Sequence, residues 1–307
     1  MNIIIKKRAV VKTARFYNIS GYFYYFCITQ NVEFNMFLET RECIFLRSKP
    51  GRTVTVILSL ILTLLVSSCN APIWSQLQKR ADAERNAKTF SSNQTLLISD
   101  HFKEVNLNWT AEAEANYEMN YLKNESCLDI QTTAGLTLWN NMPFEGDIRI
   151  TYEALVVDQG GALDRVSDLN CFWMASDPIY PDSIFTRSEF RKGASSRYYS
   201  LQLYSMCIGT NANTTTRFQR FDGDYDKFRN TLERPETLVE YKDEAFLIEP
   251  NHWYKIELLV QNGRIRYLLD GLTLVDFMDP KPLKKGFFGI RTTENHLQIR
   301  NFAAYKL

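Results

Sequence analysis

The sequence predicts an all-β domain, a concanavalin- or galectin-like jelly-roll sandwich of two antiparallel sheets, over residues 96–307. Three observations predict it. Apolar residues recur with period two in short runs. Two turn dipeptides, Asn262-Gly263 and Asp270-Gly271, join consecutive runs near the C-terminus. No long stretch of helical period follows residue 90. Many short antiparallel strands at close spacing build a sandwich or a barrel.

The elements follow in order. Residues 126–131 and 136–139 read as short alternating segments around a glycine turn. Residues 147–157 give the clearest strand, with Ile148, Ile150, Tyr152, Ala154 and Val156 at alternate positions. Residues 169–174 are apolar and aromatic. Residues 198–206 alternate again. Their phase predicts Tyr198, Ser200, Gln202 and Tyr204 on one face, and Tyr199, Leu201, Leu203 and Ser205 on the core face. Residues 208–246 are turn-rich and charged, so long loops are expected there. Residues 252–260, 264–269 and 272–278 are strands joined by the two turns. Residues 287–291 and 297–307 complete the set.

Composition narrows the class. The chain has 307 residues, 45% hydrophobic and 23% charged, enough for a real core and too apolar for wholesale disorder. Net charge is +1, so global charge gives no argument for nucleic acid, which is not expected as a partner. Aromatics reach 13%, which suits β-strands and sugar-stacking surfaces alike. Six cysteines form no CxxC pair, and three histidines are too scattered for a zinc site.

An export signal precedes the domain. Residues 54–66 are uncharged and too short for a comfortable membrane span, which needs about 20 apolar residues. They have the length of a signal-peptide core, with Arg47, Lys49 and Arg52 as its basic flank. Leu65-Val66-Ser67-Ser68-Cys69 closely resembles a lipobox, in which Cys69 is lipidated and becomes the N-terminus. The expected organisation is 1–68 for extension and signal, 69–95 for lipidated Cys and tether, and 96–307 for the sandwich. The expected location is the bacterial cell envelope, membrane-anchored and periplasmic or surface-facing. The aromatic stretch 21–27 has no counterpart in a signal peptide. It marks either an upstream start or a second hydrophobic element. With Cys69 lipidated, Cys127, Cys171 and Cys207 allow at most one disulfide.

Four segments carry a family resemblance. They are the C-terminal block from His252 to Thr293, the run 164–178 (DRVSDLNCFWMASDP), the run 211–223 (NANTTTRFQRFDG), and the early NWTAEAE beginning at Asn108. Together they resemble a domain family of unknown function common in Bacteroidetes polysaccharide-utilisation loci. That family is related to the YesU-like sandwiches of rhamnogalacturonan gene clusters. The resemblance spans residues 96–307 and implies the sandwich fold and a carbohydrate setting. In the family an Arg is usual where this chain has Gln219, and a Gly where it has Thr210, so one charge of the loop is absent here.

The candidate chemistry follows from residue types. Arg217 and Arg220 sit three apart after Asn211 and Asn213, and guanidinium forks pair bidentately with carboxylates such as those of uronates. Pairing with nearby acids explains either arginine alone. Jelly-roll polysaccharide lyases neutralise a uronate carboxylate with Arg or Gln and take the C5 proton with Tyr. On that pattern Tyr198, Tyr204 and Arg217 are the catalytic candidates, with Gln202, Asn211, Asn213, Arg220, Asp168 and Trp173 binding substrate. Asp168 and Asn170 alternate with Leu169 and would line the groove together, whereas a core position is the commoner outcome for a Trp in surroundings as apolar as those of Trp173. Arg187, Glu189 and Arg191 alternate and would share one strand face. Asp222, Asp224 and Asp226 offer oxygen ligands that calcium takes, but the EF-hand spacing is missing, so no cofactor is expected and a solvated turn is. The expected function is binding or cleavage of an acidic polysaccharide by a lyase or glycoside hydrolase. The alternatives are a non-catalytic glycan-binding lipoprotein and a structural one.

Overall fold

The computed structural model describes residues 94–307 in full, preceded by the backbone of four strands, β1 (Ala14–Ile19), β2 (Tyr22–Ile28), β3 (Glu33–Phe37) and β4 (Cys43–Arg47). The chain divides into two units, Met1–Asn70 and Ala71–Leu307. In the first unit the four strands form an antiparallel meander in sequence order, and β2 carries most of the aromatic stretch. The signal core, Cys69 and the tether lie outside the described residues. Among the described residues no helix is long and apolar enough to cross a membrane.

The second unit opens with β5 (Thr95–Asp100), β6 (Trp109–Ala113), β7 (Tyr117–Leu122), β8 (Cys127–Asn140), β9 (Phe144–Glu145) and β10 (Ile148–Val156). It continues with β11 (Leu169–Ser176), β12 (Gln202–Gly209), β13 (Thr215–Asp222) and β14 (Glu236–Tyr241). It ends with β15 (Tyr254–Gln261), β16 (Arg264–Leu269), β17 (Leu272–Met278) and β18 (Lys285–Lys306). The expected all-β sandwich is what forms. Two strands are much longer than their sequence fragments. β8 joins the two segments expected around residues 126–139, and β18 joins 287–291 to 297–307.

β8 and β18 are long because they run through both layers. The first half of β18 pairs with β11 and the second half of β8, and its second half pairs with β10 and the first half of β8. One layer therefore runs β17-β16-β15-β10-β18-β8-β7, and the other β14-β13-β12-β11-β18-β8-β6. The passage between layers falls at a register shift beside Glu294, which has φ +49°. A bulge of this kind bends a strand and raises its twist.

The layers meet over a shared core. Ile148, Ile150, Tyr152, Ala154 and Val156 of β10 are all buried, as their alternation predicts. Trp173 of β11 stacks between Phe218 of β13 and Tyr267 of β16, from the opposite layer. The two expected hairpin turns form with both central residues left-handed, Asn262 and Gly263 at φ +50° and +79°, Asp270 and Gly271 at +50° and +80°. That matches the twist of the flanking strands.

Two expectations are corrected. Residues 208–246 hold strands β13 and β14 and the short helix Tyr225–Thr231, not only loops. Residues 187–191 are helical turns, Ile184–Arg187 followed by Ser188–Arg191, so Arg187, Glu189 and Arg191 do not share a strand face. Arg191 is fully buried, drawn in by Glu112, whereas Glu189 stays exposed and pairs with Lys192.

Candidate functional site

The strands of the second layer have an outer face away from the shared core, and part of it is covered. Residues 177–201 form a strap of short helical turns across it. Beneath the strap lies a second apolar cluster that includes Trp139, Phe172, Ile184, Tyr198, Leu203 and Phe221. Glu112 anchors the strap from strand β6. It accepts from Arg191 at 2.6 and 3.1 Å, from the Ser188 hydroxyl at 2.7 Å and from Tyr198 at 2.9 Å.

The uncovered part of the same face is a cleft of about 310 Å³. Its floor is one register row crossing four strands. Arg217 of β13 faces Cys207 of β12, Cys207 faces Asn170 of β11, and Asn170 faces Arg291 of β18. Opposed residues on adjacent strands point to the same side of a sheet. Ser205, Gln219 and Phe172 lie one step along the strands and Phe221 two, and Arg165, Asp168, Thr210, Asn211, Ser195 and Tyr199 form the walls.

The lining is cationic, with three arginines against one aspartate. Arg165 faces Asp168 at 3.6 Å and Glu294 at 3.7 Å. Among the described residues no carboxylate pairs with Arg217 or Arg291. Glu240, the cross-strand neighbour of Arg217 on β14, pairs instead with Lys242 at 3.0 Å. The Arg217 Nε is buried without a hydrogen-bond partner among the described residues. Arg291 is 4% exposed, donates to the Thr137 hydroxyl at 3.1 Å and the Gly193 carbonyl at 2.8 Å, and lies over the Tyr198 ring. Burial pushes the Cys207 thiol up, against the hydrogen bond with Ser205.

The structure gathers some sequence candidates into this cleft and sends others elsewhere. Arg217, Asn211 and Asp168 line it. Arg220 has the opposite parity and pairs with Asp279 at 3.1 Å, so the two arginines do not meet. Asn213 is occupied structurally, donating to the Ile248 carbonyl and accepting from the Ile248 amide. It closes a turn in which Asn211, Ala212 and Asn213 are all left-handed. Trp173 is fully buried in the shared core.

The phase expected for 198–206 is reversed. Tyr198 belongs to the turn Ser195–Ser200 rather than to a strand, and Gln202, Tyr204 and Met206 take the inner side of β12. Tyr204 is fully buried and donates to Asp279 at 2.5 Å. Leu203 and Ser205, expected in the core, face outward instead. Burial and a neighbouring carboxylate raise the pKa of both tyrosines, Glu112 acting on Tyr198 and Asp279 on Tyr204. Neither hydroxyl is free to take a substrate proton.

Residues missed in the sequence are Arg291, Tyr199 and Ser205, whereas Asn170, expected beside Asp168 in the groove, lies in the cleft. The register row alone identifies Arg291, which lies 121 positions from Asn170 in the chain. The three aspartates of residues 222–226 are used locally. Asp222 accepts from the Asp224 amide, Asp224 caps the helix Tyr225–Thr231, and Asp226 pairs with Arg229. Among the described residues no group of three His, Cys, Asp or Glu side chains is set to hold a metal ion. Cys127, Cys171 and Cys207 are free thiols.

Two sheets sharing strands and leaving one outer face half-covered define a galectin-like β-sandwich. A solved structure of this class, a protein of unknown function with a galectin-like fold from Bacillus subtilis, matches with a TM-score of 0.54 at 18% identity. The match covers 69% of this chain and 96% of that one, and at this identity it shows the fold alone. Two further structures align over similar lengths. The carbohydrate-binding module CBM66 from Bacillus subtilis has a TM-score of 0.43 at 13% identity, covering 65% and 96% of the two chains. The carbohydrate recognition domain of Emp47p has a TM-score of 0.45 at 12% identity, covering 71% and 98%. No curated protein matches. Residues 130–302 match the family described as domain of unknown function DUF6250, and the protein belongs to that family.

Proposed function

We propose that the protein binds an acidic oligosaccharide in the cleft on the outer face of the second layer, held at the cell envelope by a lipid on Cys69. The observation that carries this reading is the floor row, in which Arg217 and Arg291 lie three strands apart with no carboxylate partner among the described residues. A guanidinium left without a counter-charge in a half-buried site favours an anionic ligand. The remaining lining suits a sugar. Ser195, Ser205, Thr210, Asn211 and Gln219 offer hydroxyl and amide groups, and Tyr199 presents an aromatic wall.

Binding without cleavage fits the chemistry better than a lyase or hydrolase. Tyr198 and Tyr204 have their hydroxyls committed to Glu112 and Asp279. Asp168 is the one carboxylate of the lining, and it is held by Ser167 and Asn170. Glycosidases work with a pair of carboxylates flanking the bond. The polysaccharide-locus setting suggested by the sequence motifs is part of the same reading.

Calorimetric titration of the full chain with oligouronates and with neutral oligosaccharides tests it. Wild type is expected to prefer the acidic ligands, and Arg217→Ala to lose about 10- to 100-fold on them alone. Equal loss on neutral sugars removes the carboxylate role. Mass spectrometry of the membrane-extracted protein tests the anchor, and a mature N-terminus well upstream of Cys69 overturns it.

A further inference from the structure

We infer that Asn170 distinguishes a sugar acid from other anions in this cleft, by accepting a hydroxyl of the same sugar ring whose carboxylate Arg217 holds. This rests on the acidic-saccharide reading and adds the group that Asn170 recognises.

Asn170 is 4% exposed and occupies the floor row between Arg291 and Cys207. Asp168 fixes the orientation of its amide. The Asn170 Nδ2 donates to Asp168 Oδ1 at 3.2 Å, while Asp168 Oδ2 accepts the Ser167 hydroxyl at 2.7 Å and faces Arg165 at 3.6 Å. Flipping the amide would set its oxygen against a carboxylate oxygen, so the nitrogen stays on Asp168. The Asn170 Oδ1 is then the remaining atom, buried and without a hydrogen-bond partner among the described residues. Buried acceptors in folded proteins are rarely left unpaired, and this one belongs to a residue that lines the cleft.

Arg217 has the complementary deficit in the same row, a buried Nε donor without a partner among the described residues. The two residues are separated by one strand, β12. Neighbouring strands lie about 4.8 Å apart, which puts their backbones roughly 10 Å from each other. The floor therefore lacks one donor and one acceptor, on two side chains that a single ring can reach together. A sugar acid supplies both, a hydroxyl for Asn170 Oδ1 and a carboxylate for Arg217. A polycarboxylate without hydroxyls, or inorganic sulfate, supplies acceptors only and leaves Asn170 Oδ1 unpaired.

The test is calorimetric titration of the full chain with four probes or probe classes. These are oligouronates of galacturonate, glucuronate, mannuronate and guluronate, an oligoacrylate, inorganic sulfate, and a neutral oligogalactan. Wild type is expected to bind its best oligouronate at least about tenfold more tightly than oligoacrylate. Asn170→Ala is expected to lose about tenfold on that oligouronate and to leave oligoacrylate within about twofold. Equal wild-type affinity for oligouronate and oligoacrylate overturns the inference, and this comparison needs no variant to fold. Loss of both probes to the same extent in Asn170→Ala also overturns it, leaving Asn170 a support for Arg217. If wild type binds no oligouronate, the acidic-saccharide reading falls. If oligouronates bind and Asn170→Ala changes nothing, only the role of Asn170 falls.

Discussion

Arg191 and Glu112 form a forked ion pair out of contact with solvent, with the guanidinium on the strap and the carboxylate on strand β6. The Arg191 side chain is 0% exposed and the Glu112 side chain 1%. Asp177 adds a second carboxylate 3.7 Å from Arg191. Charges withdrawn from water this far are tolerated only because each meets several partners.

Breaking that pair on one side is expected to be severe. Glu112→Ala leaves Arg191 buried without its two strongest bonds and should lower unfolding free energy by about 3–5 kcal/mol. Glu112→Leu with Arg191→Met should recover part of the loss, since apolar replacement of both partners is often neutral but the Ser188 and Tyr198 hydroxyls still lose their acceptor. Urea unfolding of the three proteins measures this, and a double variant as unstable as the single one contradicts it.

Arg217 and Arg220 should separate cleanly in the laboratory. Arg220→Ala removes a partner of Asp279, so the melting temperature should fall while any preference for acidic over neutral saccharide persists. Arg217→Ala should do the reverse, with stability within about ±0.5 kcal/mol of wild type, as is usual for changes away from structural contacts. Melting curves and titrations on the same preparations decide.

Acid should weaken the fold through Asp279 and Asp164. Burial alone would raise the Asp279 carboxyl. The Tyr204 hydroxyl, the Lys281 amide and Arg220 outweigh it and hold the pKa below the usual value. Burial likewise opposes the lowering at Asp164, where the amides of Gln159 and Gly161 and the His296 ring prevail. A depressed folded-state value means stabilisation that is fully present above the ordinary carboxylate pKa, near 4, and lost as pH falls through the lower one. The melting temperature should hold from neutrality to about pH 5 and drop below about pH 4. Asp279→Asn should begin lower at neutral pH and fall less steeply.

Gly193 should tolerate no side chain. Its φ is +74°, and a Cβ there would lie 2.2 Å from the Gly135 carbonyl oxygen and 2.6 Å from the Glu114 amide nitrogen. Gly193→Ala should destabilise by at least about 1–3 kcal/mol from backbone strain alone, and the clash lifts the strap from β8. Thermal unfolding checks the magnitude, and near-ultraviolet circular dichroism reports the strap aromatics.

The sequence made some of this legible and hid the rest for identifiable reasons. β10 showed plainly because one face is buried and the other wet, so Ile148 and Arg149 differ in polarity. Strand β12 did not, because its outer face is partly covered as well. Tyr204 enters the shared core and Leu203 lies under the strap, so apolar residues fall on both parities and the alternation carries no phase. β18 broke into two fragments because the bend at Glu294 interrupts its pattern with Thr293, Glu294 and Asn295. Arg191 was expected on a strand face beside Arg187 and Glu189, since Glu112 lies 79 positions away and nothing local announces it. Arg217 and Asn170 were visible as candidates by type and alternation, whereas the missing counter-charge of Arg217 and the place of Arg291 emerged only from the register.

The 22 residues of β18 also set the order in which the molecule is built. β5, β8, β9, β10 and β11 all pair with it, so neither layer has its central strand until residues 285–306 arrive. Each of these five strands must wait with an open edge, and contacts this distant in sequence make folding slow. A nascent or truncated chain ending before Lys285 would expose unpaired strands on both sides of the gap. Such a chain is a substrate for chaperones and proteases rather than a smaller version of the domain.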